Sequence, residues 1–72
     1  SDPAAARERI FRALQEHDGH RARAAERLAR ARVEGRKPWL PKRDAYRAMW
    51  RCVVALGMGA EIAARWPVGR HE

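Results

Sequence analysis

The chain has 72 residues and carries 16 Lys and Arg against nine Asp and Glu, which gives a formal net charge of +7. This length allows one domain with a marginal core, and a single cysteine excludes an internal disulfide and any zinc site built from several cysteines. The longest apolar run, residues 53–56, is too short to cross a membrane, and the first residues lack the apolar segment of a signal peptide. We therefore expect a cytoplasmic protein.

Two helices are predicted in the first half of the chain. Asp2 before Pro3 is typical of a capped helix start, and apolar residues follow at helical spacing, which predicts a helix over 3–17. Gly19 ends it, because glycine takes a left-handed conformation without steric cost. A second helix over about 20–34 has a thin apolar side, formed by Ala25, Leu28, Ala29 and Val33.

A proline-bounded linker, residues 35–41, separates this pair from two further helices, because each proline biases its predecessor toward extended geometry. The third helix, 42–56, carries the richest apolar stripe in the chain, and a short fourth helix, 60–66, follows a glycine-containing break. The stripe consists of Tyr46, Met49, Trp50, Val53 and Leu56. The sequence therefore predicts one all-α domain over 1–72, a helix-turn-helix-like bundle of three to four helices that could gain buried surface by dimerising.

The basic charge is concentrated in one window of the sequence. Residues 19–51 contain eleven basic and three acidic side chains, a net charge of +8. The remainder of the chain contains five basic and six acidic side chains, a net charge of −1. Within the window, two helical ridges and the linker between them carry the basic side chains. The first ridge is Arg23, Arg27 and Arg30, and the second is Arg43, Arg47 and Arg51. Arg36 and Lys37 in the linker, with Lys42 just after it, bridge the two ridges. Such ridges favour contact with a phosphate backbone, although solvated outer helix faces are the simpler alternative.

Trp39 is a candidate base-stacking residue, because it lies between two prolines with basic residues on either side. The alternative is that its ring folds back and closes the core of a small helical protein. Adenine is normally contacted by Asn or Gln, and the chain has no Asn and only Gln15. We therefore expect modest base specificity.

Two stretches resemble known DNA-binding families. Residues 10–28, IFRALQEHDGHRARAAERL, resemble the opening of a Fis-type helix-turn-helix, but residues 29–32 continue the helix where that family begins its recognition helix. Residues 57–70, GMGAEIAARWPVGR, are similar to a stretch of small-terminase and resolvase-like helix-turn-helix domains, whose recognition helix begins just after it. Both resemblances imply DNA binding, with the base-reading helix outside the matched residues.

Catalysis and metal binding are not expected. The chain has no Thr and one Ser at its terminus, and Cys52 is predicted to be a small, inert core residue on the flank of the apolar stripe. His17 and His20 lack the further ligands that a metal site needs. We expect no enzyme activity, cofactor or metal.

The sequence thus predicts a small basic nucleic-acid-binding protein, with DNA favoured over RNA, in a regulatory or accessory role such as transcription regulation. The alternative is a protein-interaction module, or a fragment of a larger protein, that docks to an acidic or apolar partner surface. Met58, Trp66 and Val68 are the predicted contacts for a homodimer or protein partner, provided that they are not all buried within one chain.

Overall fold

A computed structural model of the chain describes residues 2–32 and 42–68. These ranges hold four helices, α1 (Pro3–Glu16), α2 (Arg21–Arg32), α3 (Lys42–Ala55) and α4 (Gly59–Arg65), and contain no strand. The prediction of a small all-helical bundle is confirmed, and α2 continues through residues 29–32 as expected. Val33, the end of the second predicted helix and the linker 35–41 lie outside the described residues. Among the described helices, none has the length and apolar character needed to span a membrane.

The start of α1 follows from its first two residues. The Asp2 side chain accepts hydrogen bonds from the backbone N–H groups of Ala4 and Ala5, at 3.1 and 3.5 Å. Pro3 occupies the first helical position, where the missing N–H would have had no helical partner. An aspartate cap of this kind contributes about 1 kcal/mol to stability.

The turn between α1 and α2 depends on two residues with positive φ. Asp18 has φ of 54° and Gly19 has φ of 81°. This reversal lets the Gly19 N–H donate to the Leu14 carbonyl at 2.7 Å and so satisfies the end of α1. On the other side of the turn, the His20 ring nitrogen Nδ1 accepts from the Arg23 N–H at 3.3 Å and caps α2.

The core is entirely apolar in the described part of the chain, and all four helices and the turn before α4 contribute to it, with α2 packed against both α1 and α3. The most completely enclosed side chains are Leu14, Val53, Met58 and Ile62. Burying each of them contributes about 1.5–3 kcal/mol, which matters for a chain of this size. The thin apolar side predicted for helix two is confirmed, since its buried residues are alanines. The full buried set is Ile10, Ala13, Leu14, Ala24, Ala25, Ala45, Met49, Val53, Met58 and Ile62.

The turn between α3 and α4 buries Met58, which the sequence predicts as a partner contact. Gly57 has φ of 68°, and this reversal directs the Met58 N–H to the Val53 carbonyl at 3.0 Å. Met58 is consequently folded inward and is 0% exposed. It is a core residue and is not available as a partner contact on the folded chain.

Trp66 holds the end of α4 against the α1–α2 turn. Its ring lies 6.1 Å from that of Phe11 and packs directly on Gly19, where an added Cβ would come within 2.5 Å of the Trp66 side chain. The Arg21 guanidinium donates to the Trp66 carbonyl at 2.8 Å and to the Gly19 carbonyl at 3.1 Å. The Arg65 guanidinium also lies 5.0 Å from the Trp66 ring centre. The half-buried Trp66 is therefore largely engaged within its own chain.

Cys52 is predicted from the sequence to be a small core residue, but in the structure it is exposed. It lies on the flank of the apolar stripe of α3, at the edge of an open groove between α1, α2 and α3. No described element covers that edge. The thiol is accessible to solvent rather than a small part of the core.

Candidate nucleic-acid interface

The arginine ridge of α2 lies on the outer side of the helix. Arg23, Arg27 and Arg30 are all exposed, whereas Ala24 and Ala25 are buried. At 100° per residue, the ridge lies roughly 140° around the helix from the buried side. The predicted ridge is present as a solvent-facing row of guanidinium groups.

One member of this ridge is already paired. The Arg27 guanidinium lies 2.9 Å from a carboxylate oxygen of Glu16 on α1, and both side chains are about half exposed, at 53% and 42%. An exposed pair of this kind contributes at most about 1 kcal/mol, so a phosphate could replace the carboxylate at low cost. Arg27 therefore remains available to an anionic ligand, which would displace Glu16 from it.

The ridge of α3 is more strongly basic. Arg43, Arg47 and Arg51 are exposed, and they lie roughly 160° around the helix from the buried Ala45, Met49 and Val53. Among the residues that the structure describes, none of the three arginines forms an ion pair. Like charges repeated at each turn of a helix are mildly destabilising, so this row costs stability without an internal partner to offset it.

Two aromatic residues border the α3 ridge, although the apolar stripe predicted both of them as core. Tyr46 and Trp50 are half-buried, one helical turn apart, with ring centres 6.3 Å apart and an angle of 75° between the ring planes. They lie between the core side of α3 and its arginines, and Val54, the next residue along this row, is 75% exposed. The signal in the sequence was an aromatic pair at i and i+4 beside arginines at i+1 and i+5.

A shallow depression on α3 brings these groups together. Its lining combines two guanidinium groups with apolar surface, and none of the described residues that line it is a carboxylate. These residues are Tyr46, Arg47, Trp50, Arg51, Val54 and Ala55. The nearest acid along the helix is Asp44, which is exposed in the first turn. This depression therefore places basic and apolar side chains next to each other on one helix.

A second depression connects α3 to the start of α2. It is lined by the α1–α2 turn together with Arg21, Arg23, Tyr46 and the C-terminal Pro67 and Val68. Glu16 and Asp18 also line it, so its charge is mixed. Tyr46 lines both depressions, so Arg23 on α2 and the pair Arg47 and Arg51 on α3 each share a depression with this ring.

The predicted partner contacts and the predicted bridge between the two ridges have different outcomes. Val68 is 65% exposed, Trp66 is half-buried and Met58 is fully buried, so the three do not form one accessible patch. Lys42 is the first residue of α3, but its side chain is not described. Arg36, Lys37 and Trp39 lie outside the described residues, and the bridge that they were predicted to form between the ridges stays a prediction.

The histidines do not form a metal site with other described residues. Within 2–32 and 42–68, no group of three or more His, Cys, Asp or Glu side chains is arranged to hold a metal ion. The His17 ring is held in the α1–α2 turn with Nε2 buried and without a hydrogen-bond partner among the described residues. His20 instead caps α2 through its ring nitrogen.

Comparison with known proteins found no match to a protein-family model, a curated protein or a solved structure. Function is therefore inferred from the geometry and charge of this chain.

Proposed function

We propose that this chain is a small basic nucleic-acid-binding protein, with DNA as its preferred partner, that binds the phosphate backbone through the exposed arginines of α2 and α3. It acts as a binding protein in a cytoplasmic regulatory or accessory role and not as an enzyme. Sequence discrimination is modest under this proposal, because the chain has no Asn and its one Gln is on α1, which carries neither ridge.

The observation that carries the proposal is that arginines of both helices share a depression with the Tyr46 ring. Arg23 on α2 and the pair Arg47 and Arg51 on α3 border the same ring through two adjoining depressions. A phosphate backbone that crosses this ring can therefore contact guanidiniums on both helices. Arginine is suited to this role because its planar group binds phosphate oxygens in a bidentate manner.

The absence of internal ion pairs at the α3 ridge supports the same proposal. Three arginines repeated along one helix face repel each other, and the described residues supply no carboxylate within pairing distance. Neutralisation by a polyanion removes that repulsion and releases condensed counterions from the nucleic acid.

The test compares two charge reversals of equal size on different helices. Binding of labelled duplex DNA, single-stranded DNA and RNA is measured by fluorescence anisotropy at low salt for the parent and for R47E/R51E and R9E/R12E. Arg9 and Arg12 are exposed on α1, outside the proposed surface, so their reversal makes the same change in net charge elsewhere.

We expect R47E/R51E to weaken binding by about 100-fold and R9E/R12E by less than about 5-fold, because only the first pair contacts phosphates directly. Equal losses for both pairs would show that net charge alone, and not this surface, drives binding. Parental affinities weaker than about millimolar at low salt for all three nucleic acids would reject the function itself.

A protein-interaction module is the second candidate. It is favoured by the exposure of two large apolar side chains, Val54 at 75% and Val68 at 65%. Under this alternative the chain docks to a partner surface through apolar contacts. The double charge reversal on α3 would then leave a contact at Val68 intact, because Val68 lines a different depression from Arg47 and Arg51. Nucleic-acid binding would be negligible in the parent.

A further inference from the structure

We propose that the α3 depression is a stacking site for unpaired thymine-containing DNA, in which Tyr46 and Trp50 contact bases while Arg47 and Arg51 bind the adjoining phosphates. This inference rests on the proposed nucleic-acid function and narrows it to single-stranded DNA. It assigns a role to two aromatic residues that the apolar stripe alone would place in the core.

The ring geometry is compatible with stacking by an outside base. The two rings meet edge to face, at 75° and 6.3 Å, so they are not stacked on each other. Both residues pack against the core, which restricts the orientation of their rings, and both are only partly buried. Rings held in this way lose little conformational entropy when a base stacks on them.

The charge of the lining favours a nucleic acid over a second copy of the chain. Two guanidiniums lie beside the rings, and the described residues that line the depression include no carboxylate. Two copies packed symmetrically through this face would bring four guanidiniums together without a counter-charge, which is unfavourable. A single strand supplies both the flat apolar bases and the phosphates that this lining lacks.

Unpaired bases fit the depression better than a duplex does, because the faces of paired bases are covered by their neighbours and are available only when the strand is open. DNA fits better than RNA, since the lining beside the arginines is mostly apolar. Val54, 75% exposed and one turn after Trp50, is placed to contact the C5-methyl group of thymine, a contact that uracil lacks.

The test uses Trp50 as the reporter. The W39F/W66F variant leaves Trp50 as the only tryptophan, and its emission is followed during titration with oligo(dT) of about 10 nucleotides, a length typical of single-strand sites. Parallel titrations use oligo(dU), oligo(U) and a dA·dT duplex of the same length. The affinities of W50L and Y46L for oligo(dT) are compared with that of F11L, a matched control because Phe11 is a half-buried ring that contacts Trp66 instead.

We expect oligo(dT) to quench Trp50 emission and to bind about 5-fold or more tightly than the duplex, with oligo(dU) and oligo(U) weaker than oligo(dT). W50L and Y46L each lose about 10-fold in affinity for oligo(dT), whereas F11L keeps it, because stacking energy is lost only at the site. If W50L does not fold, the quenching titration and the affinity of Y46L still show whether bases stack in the α3 depression.

The possible failures are distinguishable. No binding of any nucleic acid overturns the proposed function and this inference together. Duplex binding as tight as oligo(dT) binding, with unchanged Trp50 emission and neutral W50L and Y46L, overturns the stacking site but leaves backbone binding in place. Equal binding of oligo(dT) and oligo(U) overturns the choice of DNA over RNA.

Discussion

Replacing Gly19 with alanine tests the contact that holds the C-terminal end against the α1–α2 turn. Gly19 has φ of 81°, and a Cβ there would meet three Trp66 side-chain atoms at 2.5–2.6 Å. The left-handed conformation costs an alanine about 1–2 kcal/mol, and displacing a packed ring adds about 1–3 kcal/mol. We therefore expect G19A to lower the free energy of unfolding by about 3 kcal/mol and the Tm by more than about 10 °C.

Two other glycines serve as controls, because they separate the conformational cost of G19A from the cost of displacing the Trp66 ring. Gly57 also has positive φ, 68°, but nothing lies within 4 Å of the position that an added Cβ would take, so G57A should cost only the conformational part, about 1–2 kcal/mol. Gly59 has neither a positive φ nor a close neighbour, so G59A should be neutral or stabilising by up to about 1 kcal/mol.

The assay is urea denaturation followed by circular dichroism, with the same series repeated in a W66A background. If Trp66 packs on Gly19, the cost of G19A falls in W66A to about that of G57A, because only the conformational part remains. Equal costs of G19A and G57A in the parent chain would refute the contact, and so would a G19A cost that W66A leaves unchanged.

Three further predictions follow from single contacts. D2A should lower the free energy of unfolding by about 1 kcal/mol in urea, through loss of the α1 cap, and an unchanged midpoint would contradict the capping role. R21M should cost about 1–3 kcal/mol, because it removes the guanidinium that donates to the Trp66 carbonyl, and thermal melting measures it; a neutral result would exclude that contact. M58A should cost about 2–5 kcal/mol if Met58 is core, whereas less than about 0.5 kcal/mol would restore it as a surface residue.

The helices were predictable because their signals are local. Asp2, Pro3 and Gly19 define the bounds of α1 through capping and positive φ, and the apolar spacing in α3 identifies the side that is buried. These signals depend on neighbours within one or two turns, so the sequence contains them directly.

The misplaced residues depend on contacts between distant parts of the chain. Met58 follows a glycine and was predicted as surface, but positive φ at Gly57 turns it into the core. Cys52 lies on the flank of a stripe, and no described helix covers that flank. Helical spacing alone does not say how wide the covered side is, because that depends on how α2 packs against its neighbours.

In the candidate site, too, some features follow from local sequence and others from contacts between distant parts of the chain. The exposed ridges on α2 and α3 follow from spacing, whereas the pairing of Arg27 with Glu16 requires two helices to meet. The place of Tyr46 in the lining of both depressions likewise depends on the position of the α1–α2 turn beside α3.

The most direct test of the proposed function is the salt dependence of binding to single-stranded DNA of mixed sequence, compared between the parent, R47Q/R51Q and R9Q/R12Q. Each phosphate contact on a single strand contributes about 0.7 to the slope of log affinity against log salt concentration. We expect a slope shallower by about 1.4 for R47Q/R51Q and unchanged for R9Q/R12Q. An identical slope for all three proteins would contradict the proposed function, because the arginines of α3 would then make no phosphate contact.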